Sequence, residues 1–168
     1  IANRGVEQLK PLIVETLRKE LSPRVIYFKN DLPARGLERL PTEDEQIGEG
    51  TSATTILESG LRFRVDPREG QKTGFFLDQR ENRRLTRTLA AGKRVLNLFS
   101  YSGAFGIYAA AGGATSVTHV DVSAKAIDLA RENQSLNGVE GELVVADAFQ
   151  YVRQHRQRYD LLICDPPA

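Results

Sequence analysis

Three aspartates stand at the ends of predicted strands in the second half of the chain: Asp121, Asp147 and Asp165. The carboxyl ends of parallel strands form the edge at which open sheets bind ligands. At such an edge Asp121 could accept hydrogen bonds from ribose hydroxyls, and Asp147 could accept one from an adenine amino group. Asp165 begins Asp165-Pro166-Pro167, a rigid turn that could hold a carboxylate against a flat substrate. The chemistry expected is binding of an adenosine-containing cofactor beside a planar substrate.

A turn of small residues precedes these aspartates, in the run Asn97 to Gly106 (NLFSYSGAFG). Small residues let the backbone approach a ligand, and the following helix offers free N–H groups. Tyr101, however, stands where the first glycine of the dinucleotide fingerprint G-x-G-x-x-G would be, which weakens a pyrophosphate-binding interpretation. Each motif also has a structural alternative: a tight strand–helix turn, helix N-terminal acids at Asp121 and Asp147, and a strand-ending turn at Asp165. Because the four motifs follow one another, each at or just after a strand end, we favour the interpretation that they bind a ligand.

The elements that must position these motifs alternate between strand and helix. Strands are predicted over 95–99, 117–122, 143–146 and 161–164, with helices over 81–91, 103–111, 123–136 and 149–157. This alternation predicts an α/β fold with a parallel sheet covered by helices on both faces. Before it, the pattern predicts a helix over 6–21, a strand over 25–28, a loop over 29–52, a hairpin of 54–58 with 61–65, and a loop over 66–74. We therefore place a boundary near residue 70, between a small α+β region (1–69) and the sheet domain (70–168).

Composition limits the function classes. The formal net charge of +1 over 168 residues does not favour RNA binding through a broad positive field. The single cysteine, Cys164, excludes an internal disulfide, and its apolar strand favours core packing over nucleophilic catalysis. The lone His119 is interpreted as structural, and no Cys/His cluster predicts a metal site. No apolar run approaches the roughly 18 residues of a membrane span, so we expect a cytoplasmic protein without membrane contact.

The four motifs resemble motifs one to four of class I S-adenosylmethionine-dependent methyltransferases, which have a Rossmann-like parallel sheet. The segment 70–80 (GQKTGFFLDQR), continued by Arg83 and the helix over 81–89, resembles the pre-core motif of a narrower family. That family comprises bacterial and archaeal methyltransferases that form 5-methylcytosine in large-subunit ribosomal RNA. The resemblance covers essentially the whole chain.

The resemblance implies a role for each motif residue, with S-adenosyl-L-methionine as the cofactor. The residues implied to hold the cofactor are Phe76, Asp78, Arg80, Asn97, Phe99, Ser100, Tyr101, Ser102, Gly103, Phe105, Asp121, Val122, Ser123, Asp147, Ala148, Phe149 and Asp165. Asp165 and Pro166 are implied to face the target base as catalytic residues. Asn97 stands where many class I enzymes have an acid, so an acceptor remains there but the charge is lost.

The implied function is methylation of large-subunit ribosomal RNA at carbon-5 of cytosine, with nitrogen-7 or nitrogen-2 of guanine as the alternative. Methylation of carbon-5 needs a thiolate that first attacks carbon-6, and in the family this cysteine lies on a later strand. Four of the usual seven strands appear, so the sheet is incomplete at its C-terminal end, and the family's N-terminal PUA-type RNA-binding domain is missing. We therefore expect this chain to be part of a longer protein. For the chain itself, cofactor binding is a safer prediction than catalytic turnover. A homodimer is a candidate assembly.

Two other function classes stay open. A nicotinamide-dependent oxidoreductase is disfavoured by Tyr101 and by Asp165-Pro166-Pro167. A non-catalytic cofactor- or RNA-binding module is supported by two basic clusters, interpreted first as solvated helix faces and second as RNA contacts. The clusters are Arg80, Arg83, Arg84 and Arg87, and Arg153, His155, Arg156 and Arg158.

Overall fold

The computed structural model describes residues 3–70 and 73–166. The helices are α1 (Arg4–Gln8), α2 (Lys10–Leu21), α3 (Pro33–Leu37), α4 (Arg80–Leu89), α5 (Ala104–Ala111), α6 (Ala124–Asn137) and α7 (Ala148–Gln154), with a 3-10 turn at Leu77–Gln79. The strands are β1 (Val25–Phe28), β2 (Glu45–Gly48), β3 (Thr54–Glu58), β4 (Leu61–Val65), β5 (Arg94–Leu98), β6 (Ser116–Asp121), β7 (Glu142–Val145) and β8 (Leu161–Cys164). Contacts divide the chain into two compact units, one of residues 1–54 with 65–75 and one of residues 55–64 with 76–168.

In the first unit the predicted strand β1 is confirmed, and it pairs antiparallel with β2. The predicted loop over 29–52 is wrong, because this stretch contains both α3 and β2. Strand β2 has one apolar residue, Ile47, so its backbone pairing with β1 defines it rather than any alternation of side chains. The single helix predicted over 6–21 is interrupted at Leu9. In a continuous helix the ring of Pro11 would clash with the carbonyl of Glu7.

The second unit contains a four-stranded sheet in the order β7-β6-β5-β8, and every pair is parallel. The predicted α/β class is therefore confirmed. Helix α7 ends at Gln154, three residues short of the predicted end. Helix α6 begins as predicted, with the Ser123 hydroxyl accepting a hydrogen bond from the Ala126 N–H.

Both faces of this sheet carry a hydrophobic cluster. On one face Leu96, Leu98 and Val120 pack with Ala148 and Tyr151 of α7. On the other face Val95 of β5 and Val117 of β6 pack with Ala109 of α5 and with Ala90, which follows α4. Side chains of β5 and β6 therefore alternate between two packed layers, as a buried parallel strand requires.

Strand β8 is packed less completely than its apolar sequence predicts. Leu161 and Ile163 pack against the second cluster, whereas Leu162 is 58% exposed. Cys164 is exposed as well, so its predicted core packing is wrong. Successive side chains of a strand point to opposite faces, so Leu162 and Cys164 face away from the second cluster that Leu161 and Ile163 contact.

The predicted hairpin of β3 and β4 is confirmed. Its turn residues Ser59 and Gly60 both have positive φ, at 52° and 83°, as a tight two-residue hairpin turn requires. Inward residues Leu61, Phe63 and Val65 are buried and alternate with exposed arginines along β4. Within the described residues, no helix is long and apolar enough to cross a membrane.

Candidate functional site

The loop between β5 and α5 has an unusual backbone. Phe99, Tyr101 and Gly103 have φ values of 54°, 45° and 73°, so every second residue is in the left-handed region. For the two aromatic residues this conformation costs of the order of 1 kcal/mol or more each. The strain persists because the surroundings fix the loop, including the hydrogen bond of 3.0 Å from the Ser100 N–H to the Val120 carbonyl.

Asp121 is one of the groups that fix this loop. Its Oδ2 accepts a hydrogen bond of 2.8 Å from the Tyr101 N–H, and its Oδ1 accepts one of 2.9 Å from the Ser123 N–H. The carboxylate therefore joins the ends of β5 and β6. Each carboxylate oxygen keeps a further lone pair, so the group can still accept from a ligand hydroxyl.

Beside Asp121, an apolar surface lies open at the ends of β5, β6 and β7. Phe149 is 66% exposed, and its ring meets that of Phe99 edge-on, with ring centroids 6.1 Å apart. Val122 is 73% exposed. Asp147 caps α7 by accepting a hydrogen bond of 2.8 Å from the Gln150 N–H, so the predicted capping alternative holds for this residue. Exposed aromatic surface at the strand ends, near a carboxylate that keeps lone pairs, is typical of a ligand site.

The segment over 76–80 approaches the loop from another direction. The Phe76 ring meets Tyr101 edge-on at 5.8 Å between centroids. Asp78 lies exposed in the 3-10 turn, and Arg80 is 55% exposed on its side chain. Of the predicted residues Phe76, Asp78 and Arg80, it is Phe76 that is seen in contact with the loop.

The sequence-based interpretation of Arg83, as a solvated or RNA-contacting residue, is wrong. The Arg83 side chain is 2% exposed, and it donates two hydrogen bonds, of 2.8 and 2.9 Å, to the Glu58 carboxylate. It also donates one of 2.9 Å to the Phe76 carbonyl. Tyr108 donates a hydrogen bond of 3.0 Å to Glu58. Burial alone would raise the pKa of Glu58, but the hydrogen bonds and charge of Arg83 outweigh it and lower that pKa.

Two buried polar side chains of the loop region have no hydrogen-bond partner among the described residues. They are the Asn97 Nδ2 and the Ser100 Oγ. A buried donor without a partner is costly in a folded protein, and such groups are typical of ligand sites. Asp165 and Pro166 are exposed directly after β8, whose Cys164 pairs in register with Leu98. Pro167 lies outside the described residues.

His119 is buried beneath this region, next to Asn97 in the strand register. Neither ring nitrogen has a partner among the described residues. Desolvation by burial lowers the pKa of His119 from 6.5 to about 4. The folded protein therefore holds His119 neutral at pH values where the unfolded chain binds a proton.

We expect acid to destabilise the protein through His119. Between pH 6.5 and about 4 the unfolded state binds more protons than the folded state, so the free energy of unfolding falls as the pH falls. The shift corresponds to about 3 kcal/mol over this window. Urea denaturation of the protein and of His119→Leu at several pH values measures the effect. Equal pH dependence in both proteins would contradict the prediction.

Several residues that hold the site were missed by sequence reasoning. Glu58 and Asn133 are both buried and polar, and both contact site residues. A signal existed for Asn133, because it continues the buried helical spacing of Ala126, Ile127 and Ala130.

Among the described residues, no group of three or more His, Cys, Asp or Glu side chains could hold a metal ion.

Similar proteins are known. Ribosomal RNA large subunit methyltransferase I from Aeromonas salmonicida is 41% identical over 175 residues, which cover 99% of this chain and 44% of that protein. The enzyme of the same name from Shewanella denitrificans is 39% identical, with the same coverage. The chain thus spans less than half the length of these curated relatives.

Solved structures agree with this likeness. The methyltransferase SMU.776, crystallised in complex with SAH, has a TM-score of 0.81 at 35% identity, over 98% of this chain and 44% of that one. A SAM-dependent methyltransferase from Streptococcus mutans has a TM-score of 0.79 at 35% identity, over 96% of this chain and 43% of that one. A model of the S-adenosylmethionine-dependent methyltransferase family matches residues 41–168. With three quarters of its length matched in this way, the chain belongs to the family of S-adenosylmethionine-dependent methyltransferases.

Proposed function

We propose that the protein methylates large-subunit ribosomal RNA with S-adenosylmethionine as the methyl donor. The observation that carries the proposal is the edge formed by β5, β6 and β7. There a strained small-residue loop, the Asp121 carboxylate and the exposed Phe149 lie together. The relatives named ribosomal RNA large subunit methyltransferase I support RNA as the substrate. A cytoplasmic location and a homodimer stay predictions.

The residues at this edge fit the parts of the cofactor. Asp121 has free lone pairs for the ribose hydroxyls, and exposed Phe149 and Val122 offer apolar surface to the adenine ring. The unpartnered Asn97 Nδ2 and Ser100 Oγ offer hydrogen bonds to the methionine part. When bound, the cofactor supplies a methyl group on a sulfonium, which is an electrophile. The chain's own contribution is to hold both reactants in line and to exclude water.

We assign the remaining predicted residues to positions around this arrangement. Ser102, Gly103 and Phe105 belong to the loop and the first turn of α5, Ser123 and Ala148 to the starts of α6 and α7. Phe76, Asp78 and Arg80 close the site from the pre-core segment. Asp165 and Pro166 face the target base, which must first leave its RNA stack.

Carbon-5 of cytosine is the favoured target atom, and guanine nitrogen-7 or nitrogen-2 is the alternative. Attack on carbon-6 by a thiolate would make carbon-5 nucleophilic enough to accept the methyl group. Loss of the carbon-5 proton to a base would then release the thiolate. Cys164 is the one cysteine in the sequence and is exposed directly before Asp165. We do not assign it this role, because the family resemblance places the nucleophile on a later strand.

The target atom is tested by methyl transfer from labelled S-adenosylmethionine to unmodified large-subunit ribosomal RNA, catalysed by a protein that contains this chain together with the cysteine of the later strand and followed by mass spectrometry of the nucleosides. We expect 5-methylcytosine, whereas a methylated guanine would support the alternative. Asp121→Ala should weaken S-adenosylhomocysteine binding about tenfold or more, because the ligand loses an acceptor and the Tyr101 N–H loses its partner.

Asp128→Ala is the matched control, because Asp128 is an exposed aspartate of α6 that pairs with Arg131. Its affinity for S-adenosylhomocysteine should equal that of the unaltered protein. A protein that is stabilised by NAD and not by S-adenosylhomocysteine would overturn the proposal in favour of an oxidoreductase.

A further inference from the structure

Two asparagines of α6, Asn133 and Asn137, point to the backbone of β4. Asn137 accepts a hydrogen bond of 2.8 Å from the Arg62 N–H and donates one of 2.7 Å to the Arg62 carbonyl. Its side-chain amide therefore pairs with Arg62 as a neighbouring strand would. One turn earlier, the Asn133 Oδ1 accepts a hydrogen bond of 2.7 Å from the Arg64 N–H. Both asparagines thus hold the hairpin against α6.

Asn133 differs from Asn137 in its second contact. Its Nδ2 donates a hydrogen bond of 2.9 Å to the Ser102 carbonyl, in the loop between β5 and α5. Asn133 is fully buried and Ser102 is 4% exposed, so water does not compete for this bond. In Asn137 the same amide group is directed to Arg62 and to the carbonyl of Asn133. Of this pair, only Asn133 reaches the loop.

The bond to Ser102 acts on a strained piece of backbone. Tyr101 and Gly103, on either side of Ser102, both have positive φ. Asp121 holds the Tyr101 N–H from β6, and Asn133 holds the Ser102 carbonyl from α6. Two consecutive residues of the loop are therefore fixed by two different elements. A loop held in its binding conformation before the ligand arrives binds more tightly, because less ordering is left to occur on binding.

We propose that Asn133 is a positioning residue for the cofactor, which acts by holding the Ser102 carbonyl and thereby the shape of the loop 99–103. The role rests on the proposed function, since it assumes that this loop binds S-adenosylmethionine. Asn133 itself does not touch the ligand. Its effect on affinity is transmitted through one backbone hydrogen bond, which makes the role separable from its support of the hairpin.

The test compares two isosteric variants, Asn133→Asp and Asn137→Asp. Each aspartate keeps an acceptor for the β4 N–H and loses the donor, so only Asn133→Asp removes a bond to the loop. We expect the S-adenosylhomocysteine Kd, measured by calorimetry, to rise about tenfold for Asn133→Asp and less than about twofold for Asn137→Asp. Amide hydrogen exchange should accelerate in residues 100–103 for Asn133→Asp alone.

Asn133→Ala, which also lacks the donor, replaces Asn133→Asp if the buried carboxylate prevents folding, with Asn137→Ala as its control. Equal Kd values for the Asn133 variant and the unaltered protein would overturn the positioning role and leave the proposed function intact. A Kd that rises equally in both variants would assign the effect to the hairpin and also overturn it. If the unaltered protein fails to bind S-adenosylhomocysteine, the proposed function itself fails.

Discussion

Replacing Glu58 by glutamine is expected to lower the free energy of unfolding by about 3–5 kcal/mol. The carboxylate is the charged partner of Arg83, whose side chain is 2% exposed. Without Glu58, the guanidinium would remain in the interior as an uncompensated charge, and its cost of desolvation would no longer be offset. Urea denaturation at pH 7, where the lowered pKa keeps Glu58 ionised in the native protein, measures this loss.

Arg80→Ala provides the matched control, because Arg80 meets the same carboxylate at 3.4 Å but is 55% exposed. An exposed ion pair contributes about 1 kcal/mol or less. The double variant Glu58→Gln with Arg83→Met should regain much of the stability, since no buried charge is left. If Glu58→Gln costs no more than Arg80→Ala, the buried pair does not have the importance assigned to it.

This ion pair also links the hairpin to the loop that we propose binds the cofactor. Glu58 ends β3, Arg83 lies on α4, and Arg83 holds the Phe76 carbonyl, while the Phe76 ring contacts Tyr101. Asn133 reaches the same loop from α6, at Ser102. The loop thus contacts two residues, Phe76 and Asn133. Phe76 is linked to the hairpin through Arg83, and Asn133 bonds to the hairpin directly. These contacts explain how the strained backbone at Tyr101 can be maintained.

The fold could be predicted where hydrophobic burial determines it. The runs of β5 and β6 are apolar because helices cover both faces of the sheet there, so the sequence carries that information directly. Strand β2 could not be found in this way, since Glu45, Gln46 and Gly48 are exposed and only pairing with β1 defines the strand. The break at Leu9 was readable from Pro11, but the apolar spacing on either side concealed it.

The candidate site, like the fold, could be predicted from the sequence only in part. Asp121 and Asp147 could be placed from sequence, because strand ends in a parallel sheet converge on one edge. Their partners could not, since a contact such as that between Arg64 and Asn133 joins residues 69 positions apart. Arg83 was misinterpreted for the same reason. It lies in a run of arginines typical of a solvated helix face, whereas its carboxylate partner, Glu58, is 25 positions away in the sequence.

Gly106→Ala is expected to destabilise the protein by about 1–3 kcal/mol, although alanine normally stabilises a helix interior relative to glycine. A Cβ at position 106 would lie 2.3 Å from the His119 Cε1 and 2.8 Å from its Nε2. His119 is fully buried on a central strand, so its ring cannot move aside into solvent. The glycine read from the sequence as an approach for ligand thus makes space for a histidine ring.

Gly36→Ala in α3 is the control for Gly106→Ala, because a Cβ at Gly36 would meet nothing within 4 Å. That change should be neutral or stabilise by up to about 1 kcal/mol. Combining Gly106→Ala with His119→Ala should cost less than the sum of the two single changes, since the methyl group then occupies space that the ring has left. Denaturation of the unaltered protein, the two single variants and the double variant gives the coupling. If the losses from Gly106→Ala and His119→Ala simply add, contact between the helix and the ring does not explain the glycine, and close approach of a ligand would again be its better explanation.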